Sequence, residues 1–145
     1  MIFLIFLYVE STKWKKGSTV QKLQKVIGMP SADQHSEKYL HNKKLLSIAG
    51  FRSGFADWFI TALFYGAVHL VECELEKHGH HSKDHSDRRN WVAKWPAFEG
   101  IRAEYTLLDN QSRRARYKCV KLLETDVKDA EEYFEKIEAH LTTEP

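Results

Sequence analysis

The stretch from Trp58 to Val71 is almost wholly apolar and dominates the pattern of hydrophobic and polar positions. A polar or partly polar side chain recurs there every four residues, so that at 3.6 residues per turn these side chains stack along one side of a helix. They are Asp57, Thr61, Tyr65 and His69. A helix that is apolar on nearly every side is covered by neighbouring helices. The pattern therefore predicts a helix over residues 55–77 at the centre of a bundle.

Four further helices are predicted around this one. Ser31 followed by Gln34 is a capping box, which predicts a helix over 32–48 that ends before Gly50, with a turn at 52–54. The others are expected over about 83–94 with Ser82 as its cap, over about 98–123 with a bend or interruption at 109–112, and from Thr125 or Asp126 to Leu141. No alternation typical of strands follows residue 28. The predicted fold class is all-α, an up-and-down bundle of about five helices.

The first 28 residues are interpreted as an N-terminal extension of a bundle formed by residues 29–145. Residues 1–9 are apolar, but they span about half of the ~20 residues that a membrane helix needs. They lack the basic start and small-residue cleavage site of a signal peptide. We expect the extension to be extended or to pack on the domain or a partner chain. No membrane association is expected.

The net charge and the two cysteines exclude few classes of protein or partner. The formal net charge of the 145 residues is +2, too small to imply a polyanionic partner by itself. Cys73 and Cys119 stand singly within helical patterns, without a CxxC spacing. They are interpreted as reduced core thiols of an intracellular, cytoplasmic protein.

The order of residues on the central helix resembles that of HEPN-type domains. The resemblance rests on Asp57-Trp58, on the segments 61–67 and 69–72, on 85–88, on Tyr105 with Leu108, and on Ser112-Arg113 with Arg116-Tyr117. It covers residues ~31–141. It implies a bundle of four to five helices, commonly a homodimer, linked to RNA cleavage, nucleotide handling or toxin–antitoxin pairs.

Ribonucleases of this family carry an arginine followed, after four to six residues, by a histidine. No arginine of this chain has a histidine at that offset. The chain is therefore similar to a branch without the ribonuclease motif, and catalytic activity is not expected.

Two interpretations of the polar side chains along one side of the central helix stay open. In one, Tyr65 and His69 are core residues whose polar atoms bridge helices. In the other, they line a binding site whose members are Asp57, Tyr65, His69, Arg113, Arg116 and Tyr117. A neutral histidine beside arginines binds phosphate or acts as a general base, so the catalytic candidates are His69, His85 and Arg116.

A histidine-rich turn follows the central helix. His81 and His85 lie at an i, i+4 spacing and are weak candidates for metal ligands. A structural zinc site needs four converging ligands, however, and polar residues are expected in a solvated glycine turn. The sequence thus favours no metal and no cofactor.

The second half of the helix predicted over about 98–123 is basic, and the last helix is acidic. The cations of this basic segment are Arg113, Arg114, Arg116, Lys118 and Lys121. They either contact an RNA backbone or pair with the carboxylates of the last helix. The predicted function is a HEPN-like binding module for RNA, a nucleotide or a cognate partner protein, as in a toxin–antitoxin or defence pair. The alternatives are a metal-independent ribonuclease that uses His69 or His85 with Arg113 or Arg116, and a purely structural interaction module.

Overall fold

The computed structural model describes residues 28–143, so the expected extension lies almost entirely outside the described residues. The described chain is a bundle of α-helices joined by short loops, as the hydrophobic pattern predicts. Its elements are α1 (Ala32–Leu46), α2 (Phe51–Gly54), α3 (Ala56–Lys77), α4 (His85–Lys94), a 3₁₀ helix (Pro96–Ile101), α5 (Arg102–Tyr117) and α6 (Glu124–Thr142).

Helix α3 is the centre of the bundle and packs against α1, α5 and α6. By length and composition it could cross a membrane, but 72% of its most apolar window is buried inside the bundle, which is typical of a core helix. Gly66 permits its close approach to α6, since a Cβ built at this position would lie 2.9 Å from Cε2 of Phe134. The predicted central helix is confirmed to within one residue at its start.

Helix α1 begins with the predicted capping box. The Ser31 hydroxyl accepts from the Gln34 amide at 3.3 Å, and the Gln34 side chain accepts from the Ser31 amide at 2.8 Å. The helix runs antiparallel to α3: Ala32 lies beside Cys73 near the end of α3, while Phe51, beyond the end of α1, packs on Phe59 near its start. The helix pair α1–α3 brings together residues far apart in sequence.

The loop before α4 differs from its prediction. Asp84, not Ser82, caps α4, and its carboxylate accepts from the amides of Ser86 at 2.7 Å and Asp87 at 2.8 Å. Ser82 instead donates its hydroxyl and its amide to the carboxylate of Glu72. The buried carboxylate of Glu72 on α3 thus binds Ser82, the residue that the sequence predicts as the cap of α4.

Helix α5 also differs from its prediction. It is uninterrupted at 109–112, because Asp109 and Ser112 face the interior, and it ends at Tyr117, six residues early. Cys119 follows in the left-handed region, with a φ of 45°, and is exposed. The expectation that Cys119 is a core thiol is therefore wrong. The predicted turn at 52–54 belongs to the short helix α2.

The first and last long helices of the described bundle are neighbours. The Tyr39 hydroxyl of α1 donates to Glu138 of α6, whose carboxylate also lies 2.7 Å from the Lys43 ammonium. A cavity of about 620 Å³ separates the first turn of α1 from the last turn of α6. Arg52 of α2 adds a bidentate pair with Glu131, at 2.8 and 2.9 Å.

Candidate functional site

Polar side chains form two clusters, one around arginines and one around histidines, and the ion pair between Arg88 and Glu72 connects them. The arginine cluster is formed where α3, α4 and α5 meet. Its members are Tyr65, His85, Arg88, Arg89, Asp109, Arg113, Arg116 and Tyr117. The histidine cluster is formed between α1, α3 and the loop before α4. Its members are His35, His69, Glu72 and His81.

Arg116 lies against aromatic surface. Its guanidinium carbon is 5.1 Å from the ring centre of Tyr117, 5.6 Å from that of Phe64 and 5.7 Å from that of Tyr65. One guanidinium nitrogen donates to the Tyr65 hydroxyl at 3.3 Å, and Nε donates to the Ser112 carbonyl at 3.2 Å. Within residues 28–143 no carboxylate lies within ion-pair distance of Arg116. Its charge is held in place by neutral groups.

The other arginines of the cluster are paired. Asp109, 3% exposed, accepts two hydrogen bonds from Arg113, at 2.8 and 3.2 Å, and a longer one from Arg89 at 3.4 Å. Arg88 donates to Glu72 at 2.6 Å. Four arginines thus face two carboxylates, which leaves two positive charges in excess in the cluster, and Arg116 lies beside an exposed tyrosine, Tyr117. Such a surface attracts anions.

His85 faces this positive surface in its neutral form. Its ring is stacked on Phe64 at 5.9 Å and lies 6.2 Å from the ring of Tyr65. Burial, followed by the charges of Arg88 and Arg116, lowers the pKa of His85. Because a guanidinium only donates, Nδ1 of His85 accepts from Arg88 at 3.0 Å, and its ring proton is on Nε2.

His69 belongs to the histidine cluster. Its Nδ1 lies 3.1 Å from Nδ1 of His35, and no described contact joins it to Arg116. Burial, followed by the charges of His35 and Arg88, lowers the pKa of His69 to about 4. His69, Tyr65 and Trp58 line a groove of about 480 Å³ between α1 and α3.

Of the remaining predicted site residues, Asp57 lies apart from both clusters, whereas His81 is a member of the histidine cluster. Asp57 is exposed at the start of α3, where its carbonyl accepts from the Thr61 hydroxyl at 2.7 Å. His81 is partly exposed, and His85, four residues further on, contacts Arg88 of the arginine cluster instead. Of the basic segment, Arg114 alone pairs with the last helix, through Asp126 at 2.7 Å.

Sequence reasoning missed His35 and Glu72. His35 is buried on α1, and Glu72 is 3% exposed on α3. The sequence did carry a signal for Glu72, since an acidic residue on a helix that is apolar on nearly all sides has to be buried and needs a cation. Arg88, sixteen residues away, supplies that cation.

Comparison with protein-family models, with curated proteins and with solved structures finds no match to this chain. The all-helical bundle is compatible with a HEPN-like fold. The class of protein defined so far is thus an all-α bundle with a positively charged aromatic site.

Proposed function

We propose that this protein is a HEPN-like bundle that binds single-stranded RNA through the arginine cluster. The observation that supports this most strongly is Arg116, whose guanidinium lies over three aromatic rings and has no carboxylate partner in the described chain. An arginine of this kind contacts a phosphate without first breaking an ion pair. Single-stranded nucleic acid is bound by this combination of cations and stacking rings.

Tyr117 provides the stacking surface. It follows Arg116 at the end of α5 and is 69% exposed, an unusual exposure for a large aromatic side chain. The guanidinium carbon of Arg116 lies 5.1 Å from the centre of this ring. A base stacked on the ring would therefore place its adjoining phosphate near that guanidinium. Stacking of this sort tolerates any base, so we expect weak sequence preference.

The binding test uses the full-length protein and a fluorescently labelled single-stranded RNA of mixed sequence. We expect affinity to fall as salt rises, with a slope of about −0.7 for each phosphate contacted. Arg116→Gln should weaken binding and reduce that slope by about one contact. Tyr117→Ala should cost about 1–3 kcal/mol of binding free energy, as the loss of one stacked base does.

The matched control is Arg114→Gln. Arg114 is on the same helix and has the same charge, but Asp126 neutralises it at 2.7 Å. Its substitution should change affinity much less than that of Arg116. Equal effects of the two substitutions would indicate non-specific attraction to a basic helix, and absence of binding at low salt would refute the proposal.

A metal-independent ribonuclease is the second candidate. It is favoured by one observation, that His85 and Arg116 both pack on Phe64 and Tyr65. His85 presents an Nε2–H, which can donate a proton, whereas its Nδ1 is engaged by Arg88. Cleavage of the RNA that is lost in His85→Ala while binding persists would support this candidate. Binding by the wild type without cleavage would support the binding module alone.

A further inference from the structure

The histidine cluster has the composition of a site for a transition-metal ion. His35, Glu72 and His81 each offer one ligand atom, and these three atoms all lie within 4.8 Å of one another. The three residues come from α1, α3 and the loop before α4. His35 is 8% exposed and Glu72 3%, so two of the three ligand groups are held inside the protein.

The groups around Glu72 fix its orientation. Its carboxylate accepts from Arg88 at 2.6 Å, from the Ser82 amide at 3.3 Å and from the Ser82 hydroxyl. A carboxylate has about four acceptor positions, so about one is left for a metal. Ligating carboxylates are commonly held in this way by an outer shell of hydrogen bonds.

His69 orients His35. Their Nδ1 atoms lie 3.1 Å apart, so one ring donates and the other accepts. When His35 is the donor, its Nε2 carries a bare lone pair, the form in which histidine binds metals. A second ring or carbonyl on the other nitrogen is the usual outer partner of a metal-binding histidine.

We propose that His35, Glu72 and His81 bind a divalent transition-metal ion of the zinc class, with His69 as the outer partner of His35. Two imidazoles and one carboxylate suit zinc, whereas magnesium and calcium prefer oxygen ligands alone. Ligands about 2.1 Å from a tetrahedral zinc are about 3.3 Å apart, so the cluster contracts by about 1.5 Å at most on binding. His81 is on a partly exposed loop after Gly79, which allows that movement.

The ion would connect α1, α3 and the loop that leads into α4. Because Arg88 of α4 also binds Glu72, metal binding would stabilise the position of Arg88 within the arginine cluster. The site does not depend on RNA binding. Its three protein ligands leave the fourth position of the ion to water, and its test is separate from that of the RNA site.

The experiment titrates Zn²⁺ into tag-free full-length protein, freed of metal by a chelator, and follows heat of binding and thermal unfolding. Co²⁺ is used in parallel, because its visible spectrum reports a tetrahedral site. We expect one equivalent of either ion to bind and the Tm to rise. His35→Ala, Glu72→Gln and His81→Ala should each abolish the one-equivalent binding, and His69→Ala should weaken it by about 10- to 100-fold.

The controls are His41→Ala and His78→Ala. His41 is exposed on α1, and His78 is exposed at the end of α3 beside Glu74. Neither should alter the titration. His81→Ala keeps the test decisive if His35→Ala fails to fold, since it removes a ligand from a loop. The proposal is overturned if the wild type does not bind one equivalent, or if its binding survives His81→Ala or is lost equally in the controls.

Discussion

His69 is a half-buried, neutral imidazole between α1 and α3, 3.1 Å from His35, and the positive charge of Arg88 acts on it. Its pKa of about 4 is below the ordinary value of 6.5, mainly because of burial. The unfolded chain therefore binds more protons at His69 than the folded protein between pH 6.5 and pH 4. Stability is fully present above pH 6.5 and is lost as the pH falls through this window.

We expect the metal-free protein to lose unfolding free energy through His69 as the pH falls from 7.5 to 4.5, by up to about 2 kcal/mol because solvent screens the half-buried ring. Urea denaturation at a series of pH values measures this loss. His69→Gln, which cannot take up a proton, should have a shallower dependence. His140→Gln, at an exposed position on α6, is the control and should leave the dependence unchanged. An equally steep dependence in His69→Gln would contradict the assignment.

Single positions differed in how far the sequence could predict them. The Ser31 capping box was predictable, because its partners are three residues apart. The contact of His35 with His69 joins residues 34 positions apart, and local spacing gives no information about it. The pairing of Tyr65 with Arg116 spans 51 positions, so the sequence could nominate both as site residues but could not place them in contact.

Helix α3 approaches α6 most closely at Gly66, where the ring of Phe134 occupies the space of a side chain. Gly66→Ala would gain up to about 1 kcal/mol in helix propensity, but its methyl group would meet that buried ring at 2.9 Å. Overpacking of this kind costs about 1–3 kcal/mol. We expect net destabilisation, measured by urea denaturation.

Gly54→Ala is the matched control for this close contact. Gly54 is also helical, in α2, and nothing lies within 4 Å of a Cβ built there. This substitution should be neutral or slightly stabilising. Phe134→Leu should partly rescue Gly66→Ala if the ring is the obstacle. Equal stability of Gly66→Ala and the wild type would show that α6 shifts without cost.

The extents of the helices were predictable where hydrophobic periodicity is strong, as in α3. They were not predictable where a residue distant in sequence binds a side chain that would otherwise cap a nearby helix. Ser82 looked like a cap, but the buried Glu72 takes its hydroxyl. Helix α5 ends at Tyr117 although the sequence continues in a helical pattern, since Cys119 adopts a left-handed conformation.

The bundle leaves two large aromatic side chains exposed at the start of its central helix. Phe55 is 58% exposed and Trp58 62%, and Trp58 also borders the groove between α1 and α3. Exposed tryptophans of this kind are common at the centres of protein interfaces. We therefore propose that two copies associate through this surface.

Sedimentation velocity of the full-length protein checks this association. We expect a dimer for the wild type and a shift towards monomer in Trp58→Ala. Leu107→Ala, at an exposed apolar position on α5, should remain dimeric. A monomeric wild type at high micromolar concentration, or a dimer unaffected by Trp58→Ala, would exclude this interface.

The contact between α1 and α6 places the first and last long helices of the described bundle next to each other. Tyr39 and Lys43 meet Glu138, and the first turn of α1 lines the same cavity as the last turn of α6, so the two ends of the described bundle lie near each other. Joining those ends with a short linker and opening the chain at the exposed segment 118–121 should give a circularly permuted protein with the same core. The same core would then form from a different order of helices along the chain, so the fold would not depend on the order found in this sequence.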